Sequence, residues 1–251
     1  MEQVVHGLHW KTLLLYLYNI IVIAPDFETH LERLGEVMGR FWREGLKLKL
    51  AKCELLQTKV CYLGHVVSER GVCTDPEKIK AVAQWPVPRN LKRLQAFLST
   101  VGYNRQYIPG FATIAKPLSR LTSKKEPWHW TSLQQDAFEK LQKCLITALV
   151  LGYPDPKLHY VLDTDASEDD VKAVFSEVQD GKERVIGYYS KTPPENNYYV
   201  TRRELLAVVK SVNHLRSYLY GQHFDLRTDH ASLMWLCRRK ERDSNMAMQT
   251  D

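Results

Sequence analysis

Cysteine is scarce in this sequence and never grouped. The five residues, Cys53, Cys61, Cys73, Cys144 and Cys237, are odd in number, scattered, and contain no C-x-x-C pair. That pattern argues against a disulfide framework and against a thiolate zinc site. Cys61 and His65 have a spacing that two ligands on a hairpin share, but no second pair completes a tetrahedron. Long apolar runs are missing as well. The run LLLYLYNIIVIA, positions 13–24, falls well short of the roughly 20 residues a bilayer span needs, and Asn19 interrupts it. There is no Asn-x-Ser/Thr acceptor, no internal repeat and no low-complexity tract. The expectation is a reduced, intracellular setting, cytoplasmic or nuclear, neither secreted nor membrane-bound. Acidic excess is lacking too. Lys and Arg number 35 against 29 Asp and Glu, a formal charge of +6, which admits an anionic partner such as nucleic acid.

What is present is the composition of a folding chain. Of 251 residues, 44% are hydrophobic and 25% charged, enough for one large domain or two ordinary ones with real cores. The β-branched IIVI stretch reads as a buried strand. An unpaired Asn19 inside it would cost about 1–3 kcal/mol, so that residue needs a partner or a history. From Glu28, Leu31, Leu34, Met38, Phe41 and Trp42 fall at helical spacing and Gly45 stands as a terminator, predicting a helix of about 16 residues. The segment from Lys47 to Val72 alternates in short pieces broken at Gly64 and Gly71, predicting a strand and a hairpin.

The middle of the chain reads as helical. A helix follows Asp75, PVPRN interrupts it, and a second starts at Leu91 with Leu94, Phe97 and Leu98 on one face. A third runs from Leu133 to Cys144, with Thr131 or Ser132 as N-cap and Ala137, Phe138 and Leu141 inward. Past Gly152 the pattern changes to β-rich pieces. KLHYVLDTDAS, VKAVFSEV and ERVIGYYS precede a helix over Thr201 to Tyr218, its inward residues expected to be Leu205, Val208, Val209, Val212 and Leu215. The strand HFDLRTD and a short helix beginning ASLMWL complete a β-β-β-α-β-α order, before a polar tail.

Acidic residues mark the ends of these elements. In VLDTDAS, alternation puts Asp163 and Asp165 on one strand face and Leu162 and Thr164 on the other. Glu204 lies in the first turn of the following helix, and Asp229 ends the strand HFDLRTD. Singly, each has an ordinary reading: a helix-start acid, an N-cap, a turn former. Together, carboxylates from strand one, helix one and strand four make a cage suited to hard divalent cations. His230 has no placed Ser or Cys nucleophile beside it and is expected to bond locally.

TDAS, TRRELLAVV and RTDHASLMWL resemble the ribonuclease H domain of reverse transcriptases from gypsy-type long-terminal-repeat retrotransposons. The likeness continues upstream through FETHLERL, GLKLKLAKCELLQTKVCYLGHVVSERGV, DPEKIKAVAQWPVP, KPLSRLT and WHWT…AFEKLQ, nearly the whole chain in the family's order. It implies an α/β (α+β) fold in three parts. Residues 1–75 would be the C-terminal part of a reverse-transcriptase palm and 76–152 a helical thumb or connection. Residues 153–251 would be a ribonuclease H-like mixed sheet with flanking helices, truncated at its C-terminus. Asp165, Glu204 and Asp229 fall on three of the family's four metal-binding acids, the fourth lying past the point where this chain stops. The implied cofactor is Mg²⁺, with Mn²⁺ as substitute. The implied partners are an RNA/DNA hybrid or duplex nucleic acid and other parts of a Pol polyprotein. The reaction is hydrolysis of the hybrid's RNA strand.

The same resemblance answers the question of Asn19. The family's palm hairpin carries a Tyr-x-Asp-Asp motif, and YLYN puts Tyr18 and Asn19 at the two aspartate positions. Neither supplies an anionic ligand, and the fingers and earlier palm strand would lie upstream of Met1, so polymerisation is expected to be lost. A second departure follows TDAS, where EDDVKAVFS replaces a glycine-bearing segment of the kind DYGIGAVLS. Asp170 and Lys172 take flexible positions there, and Lys172 either sits beside the metals or points away. In YNRQYIPGF, Tyr103, Tyr107 and Phe111 alternate with Arg105, a pattern that stacks bases and holds phosphates or else fills the core at a helix end. Lys116, Arg120, Lys124 and Lys125 form a basic run, and CYLGHVV resembles the hairpin that grips the primer end, with His65 near its turn. Three readings follow: a metal-dependent ribonuclease H, a catalytically inactive nucleic-acid-binding remnant of the same element, or a degenerate interaction domain with no nucleic-acid role.

Overall fold

The apolar run at the start of the chain does not form one strand. In the computed structural model, which describes residues 3–9, 11–123, 126–168, 170–193, 199–230 and 233, it folds back on itself. β1 (Leu13–Tyr16) pairs antiparallel with β2 (Asn19–Val22), Tyr16 opposite Asn19. The two-residue turn between them holds Leu17 at φ +57°, a conformation that glycine adopts without the cost a side chain incurs. Tyr18 at its tip is 84% exposed and Asn19 is exposed too, so no buried amide has to be compensated. The expected IIVI strand corresponds to β2, and the LLLY before it pairs with it across a turn that no Asn-Gly or Asp-Gly marks.

The chain divides into two compact units, Met1–Glu69 and Arg70–Asp251. In the first, α1 (Phe27–Arg43) starts at Asp26, whose side chain accepts from the Thr29 N–H at 2.8 Å, and ends before Gly45 at φ +65°. Val37 and Phe41 of α1 pack with Val5, Leu8 and Leu13 as the unit's core. Trp42, expected on that face, is 86% exposed, and Leu31 is exposed as well. The apolar stripe runs through Val37 and Phe41, so the residue immediately after Phe41 points about 100° away from Phe41 and further still from Val37. β3 (Lys59–Tyr62) and β4 (His65–Ser68) form a second hairpin around Leu63 and Gly64, both with positive φ. The Lys47–Lys49 stretch, read as strand, leads instead into a single 3₁₀ turn over Leu50–Lys52.

The second unit opens with β5 (Gly71–Thr74), which reaches Leu151 through paired backbone bonds from Val72 at 2.9 Å each. Its helices are α2 (Pro76–Ala83), α3 (Leu91–Tyr103), α4 (Phe111–Arg120) and α5 (Ser132–Ile146). Asp75 and Asn90 cap the first two, and Thr131 with Gln134 forms a capping box on α5. Leu94, Phe97, Phe138 and Leu141 share a core, as the periodicity predicts, and Leu118 joins them from α4, a helix the periodicity did not mark.

A mixed sheet follows. β6 (His159–Ala166), β7 (Val171–Gln179) and β8 (Lys182–Lys191) form an antiparallel meander turning at Asp180-Gly181. α6 (Val200–His214) and the short α7 (Arg216–Leu219) then lead to β9 (Phe224–Thr228), which runs parallel to β6 and completes the order β8-β7-β6-β9. The expected single helix over Thr201–Tyr218 is thus broken at Leu215. Its inward face is only partly the expected one: Leu215 is buried and Val212 packs against the same core. Glu204, Ala207 and Ser211 are buried, whereas Leu205 and Val209, expected inside, are exposed. Small residues let the helix approach the sheet closely, and they bring an acid in with them. α4 meets this layer directly: the Ala112 N–H donates to Ser190 Oγ at 2.9 Å.

Candidate metal centre

Three carboxylates converge where β6 and β9 end. Because the two strands are parallel, with Thr164 opposite Thr228, the next residues Asp165 and Asp229 emerge side by side at the same sheet edge. Glu204 comes from the second turn of α6 and not, as expected, from the first, because the helix already begins at Val200. One oxygen of each lies within 4.8 Å of the others, the one such group of acid, His or Cys ligands among the described residues. Asp165 and Asp229 are exposed, while Glu204 is only 4% exposed.

The electrostatics are those of an unneutralised acid cluster. Burial pushes the Glu204 carboxyl up, and repulsion from Asp229 and Asp165 adds to it; a backbone hydrogen bond from Ala166 and the nearby His230 partly oppose this. Glu204 Oε2 is buried with no hydrogen-bond partner. A buried carboxylate oxygen left bare beside two further carboxylates is costly unless a cation neutralises it. All the donors are hard oxygens, so the set fits Mg²⁺ or Mn²⁺ and not a thiolate-preferring metal.

The neighbours of the cluster complete the picture. Asp163, a spare acid on the strand, is drawn away: its Oδ1 lies 3.9 Å from Arg227 Nη1, which also bonds Glu183 at 2.6 Å. Burial raises the Asp163 carboxyl, and Arg227 opposes that. The His230 backbone N–H donates locally to Thr228 Oγ1 at 3.2 Å, while its Nε2 lies 2.9 Å from Thr201 Oγ1, 29 residues earlier in the chain. Lys172 sits beside the acids, its Nζ 3.9 Å from Asp165 Oδ2. Arg203, which sequence reasoning passed over, lies 3.8 Å from Glu168; one position before Glu204 in an acidic neighbourhood was the available signal.

The remaining candidates lie outside the cluster. Tyr103 ends α3, exposed, with Lys78 Nζ 5.3 Å from its ring centroid, and Arg105 follows exposed in a 3₁₀ turn. Tyr107 is buried, with its phenol pushed up to about 12 by desolvation, so it belongs to the core and is no stacking platform. Lys116 is half-buried in α4, and His65 stands on β4 of the first unit. Lys124, Lys125 and most of the expected ASLMWL helix, which would have made Asp229 its N-cap, lie outside the described residues.

Residues 130–226 match the family described as the RNase H-like domain found in reverse transcriptase. That stretch of the chain is similar to this domain. The match begins just before α5 and takes in the meander, α6 and most of β9, with Asp165 and Glu204 inside it and Asp229 just past its end. The chain is 36% identical over 244 residues to a retrovirus-related Pol polyprotein from transposon 297 of Drosophila melanogaster. It is 35% identical over 224 residues to the transposon Tf2-7 polyprotein of Schizosaccharomyces pombe. These alignments cover 96% and 87% of this chain but only 23% and 17% of the relatives, so it spans about a fifth of their length. Among solved structures, a foamy viral protease-reverse transcriptase dRH in complex with double-stranded DNA superimposes with a TM-score of 0.83 at 22% identity, covering 94% of this chain and 42% of that one. The foamy viral enzyme in complex with an RNA/DNA hybrid gives 0.78 at 23% identity, covering 90% and 31%. The chain therefore shares its fold with these solved structures.

Proposed function

We propose that this chain is a ribonuclease H module of a long-terminal-repeat retrotransposon Pol polyprotein, hydrolysing the RNA strand of an RNA/DNA hybrid. The convergence of Asp165, Glu204 and Asp229 carries this reading. In it, residues 1–75 are the distal part of a palm, 76–152 a thumb or connection, and 153–251 the ribonuclease H-like domain. The setting is intracellular, cytoplasmic or nuclear, and further Pol segments are its partners.

Asp165, Glu204 and Asp229 would hold the divalent ions, Mg²⁺ or Mn²⁺ in its place. Such ions, when bound, lower the pKa of a coordinated water and neutralise charge building on the phosphate. The protein's own part is positional. The parallel pair β6 and β9 fixes two acids at one edge, and α6 holds the third under the surface, its orientation set by the Ala166 backbone. Arg105, Tyr103, Lys116 and His65 would contribute sequence-independent contacts to the nucleic acid. YLYN at the β1–β2 turn supports loss of polymerisation, since Tyr18 and Asn19 offer no carboxylate.

The second reading, an inactive hybrid-binding remnant, is favoured by Lys172 beside Asp165. A hybrid with its RNA and DNA strands separately labelled tells the two apart. The nuclease reading expects the RNA strand alone to be cut in Mg²⁺ or Mn²⁺, and cutting to stop on chelation. Binding of the intact hybrid without any cut would establish the remnant.

A further inference from the structure

Lys172 stands directly across the antiparallel β6–β7 pair from Asp165. Its Nζ reaches to 3.9 Å from Asp165 Oδ2, and its side chain is 36% exposed. The stem is not free to swing in all directions. It passes Gly110 at the start of α4, where a Cβ would meet Lys172 Cε at 3.5 Å. Asp170, two residues earlier and just before β7 begins, is fully buried and accepts from the Thr113 hydroxyl, and its charge also interacts with Lys172. The ammonium is therefore held near two acids on a short leash.

We propose that Lys172 is an internal counter-cation of the metal centre, competing with the divalent ion for Asp165 and setting how tightly that ion is held. The inference rests on the metal-centre reading above and adds to it a residue that tunes affinity. Its physical basis is like-charge repulsion. A fixed ammonium within a few ångströms of a ligand oxygen opposes a dication at that oxygen, and a partly exposed site screens the effect only in part. Metal loading would then require Lys172 to move off Asp165, making the centre weak at low ion concentration and favouring metal that arrives with an anionic substrate.

The test is a Mn²⁺ titration of the whole chain followed by electron paramagnetic resonance, with no nucleic acid present. Lys172→Met keeps the stem and removes the charge, Lys172→Gln is a second neutral variant, Lys172→Arg keeps the charge, and Asp165→Asn removes the ligand. The proposal expects the two neutral variants to bind Mn²⁺ about tenfold more tightly than the parent, Lys172→Arg to resemble it, and Asp165→Asn to bind far more weakly. Neutral variants equal to the parent, with Asp165→Asn still weakened, would overturn the role of Lys172 and leave the metal centre standing. Asp165→Asn equal to the parent would overturn both.

Discussion

Glu204 is the residue on which the account turns. An acid buried on a helix face that otherwise carries Ala207 and Ser211 is placed there at a cost, and its raised pKa gives the sign of that cost. The folded state holds the proton more tightly than the unfolded chain, whose Glu titrates near about 4.3. Stability from this group is therefore full below that pH and declines as pH rises through the folded pKa. Glu204→Gln is expected to melt higher than the parent at neutral pH without metal, and to match it at low pH. With saturating Mg²⁺ the parent should gain thermal stability and the variant should not. Paired melting curves with and without the ion check this. The candidate acids were legible from residue type and position alone, but their convergence came from the fold. Nothing in the sequence places Glu204 under the surface, because the apolar period runs through Leu205 and Val209, which are exposed, as well as through Val212 and Leu215, which face the core.

At the level of elements, two junctions hold the layers of the second unit. The Thr113 hydroxyl of α4 donates to Asp170 at the start of β7, a pairing across 57 residues that no local pattern foretells. Burial pushes the Asp170 carboxyl up, against the hydrogen bonds from Thr113 and Lys191 and the charge of Lys172. Thr113→Val leaves a buried carboxylate short of a donor and is expected to cost about 1–3 kcal/mol at neutral pH in urea denaturation. The loss should shrink at acid pH, where Asp170 is protonated. The second junction is Gly71, at φ +126°, where an added Cβ would fall on the Leu151 carbonyl oxygen that bonds Val72. Gly71→Ala is expected to cost more than the roughly 0.5–1 kcal/mol of ordinary glycine replacements, read as a lowered denaturation midpoint. Helices with caps and a clear stripe, α1 and α5 above all, could be read from sequence because capping and burial are local. The β1–β2 turn carries no turn signal at Leu17 and Tyr18, and only the resemblance of YLYN to a palm hairpin pointed to it.

For the molecule as a whole, the charge of +6 and the exposed Arg105 bear on nucleic-acid affinity. Hybrid binding should weaken steeply with salt, and Arg105→Ala should weaken it similarly on any sequence while lowering the salt slope by about one. A titration of a labelled hybrid at several salt concentrations reads both effects. The most direct test of the central claim is the rate at which the chain cuts the RNA strand of a hybrid in Mg²⁺, set beside that of Asp165→Asn. The account predicts metal-dependent cutting by the parent, reduced at least about a hundredfold in the variant. Equal rates in the two proteins would contradict it, as would a parent that binds the hybrid and leaves it whole.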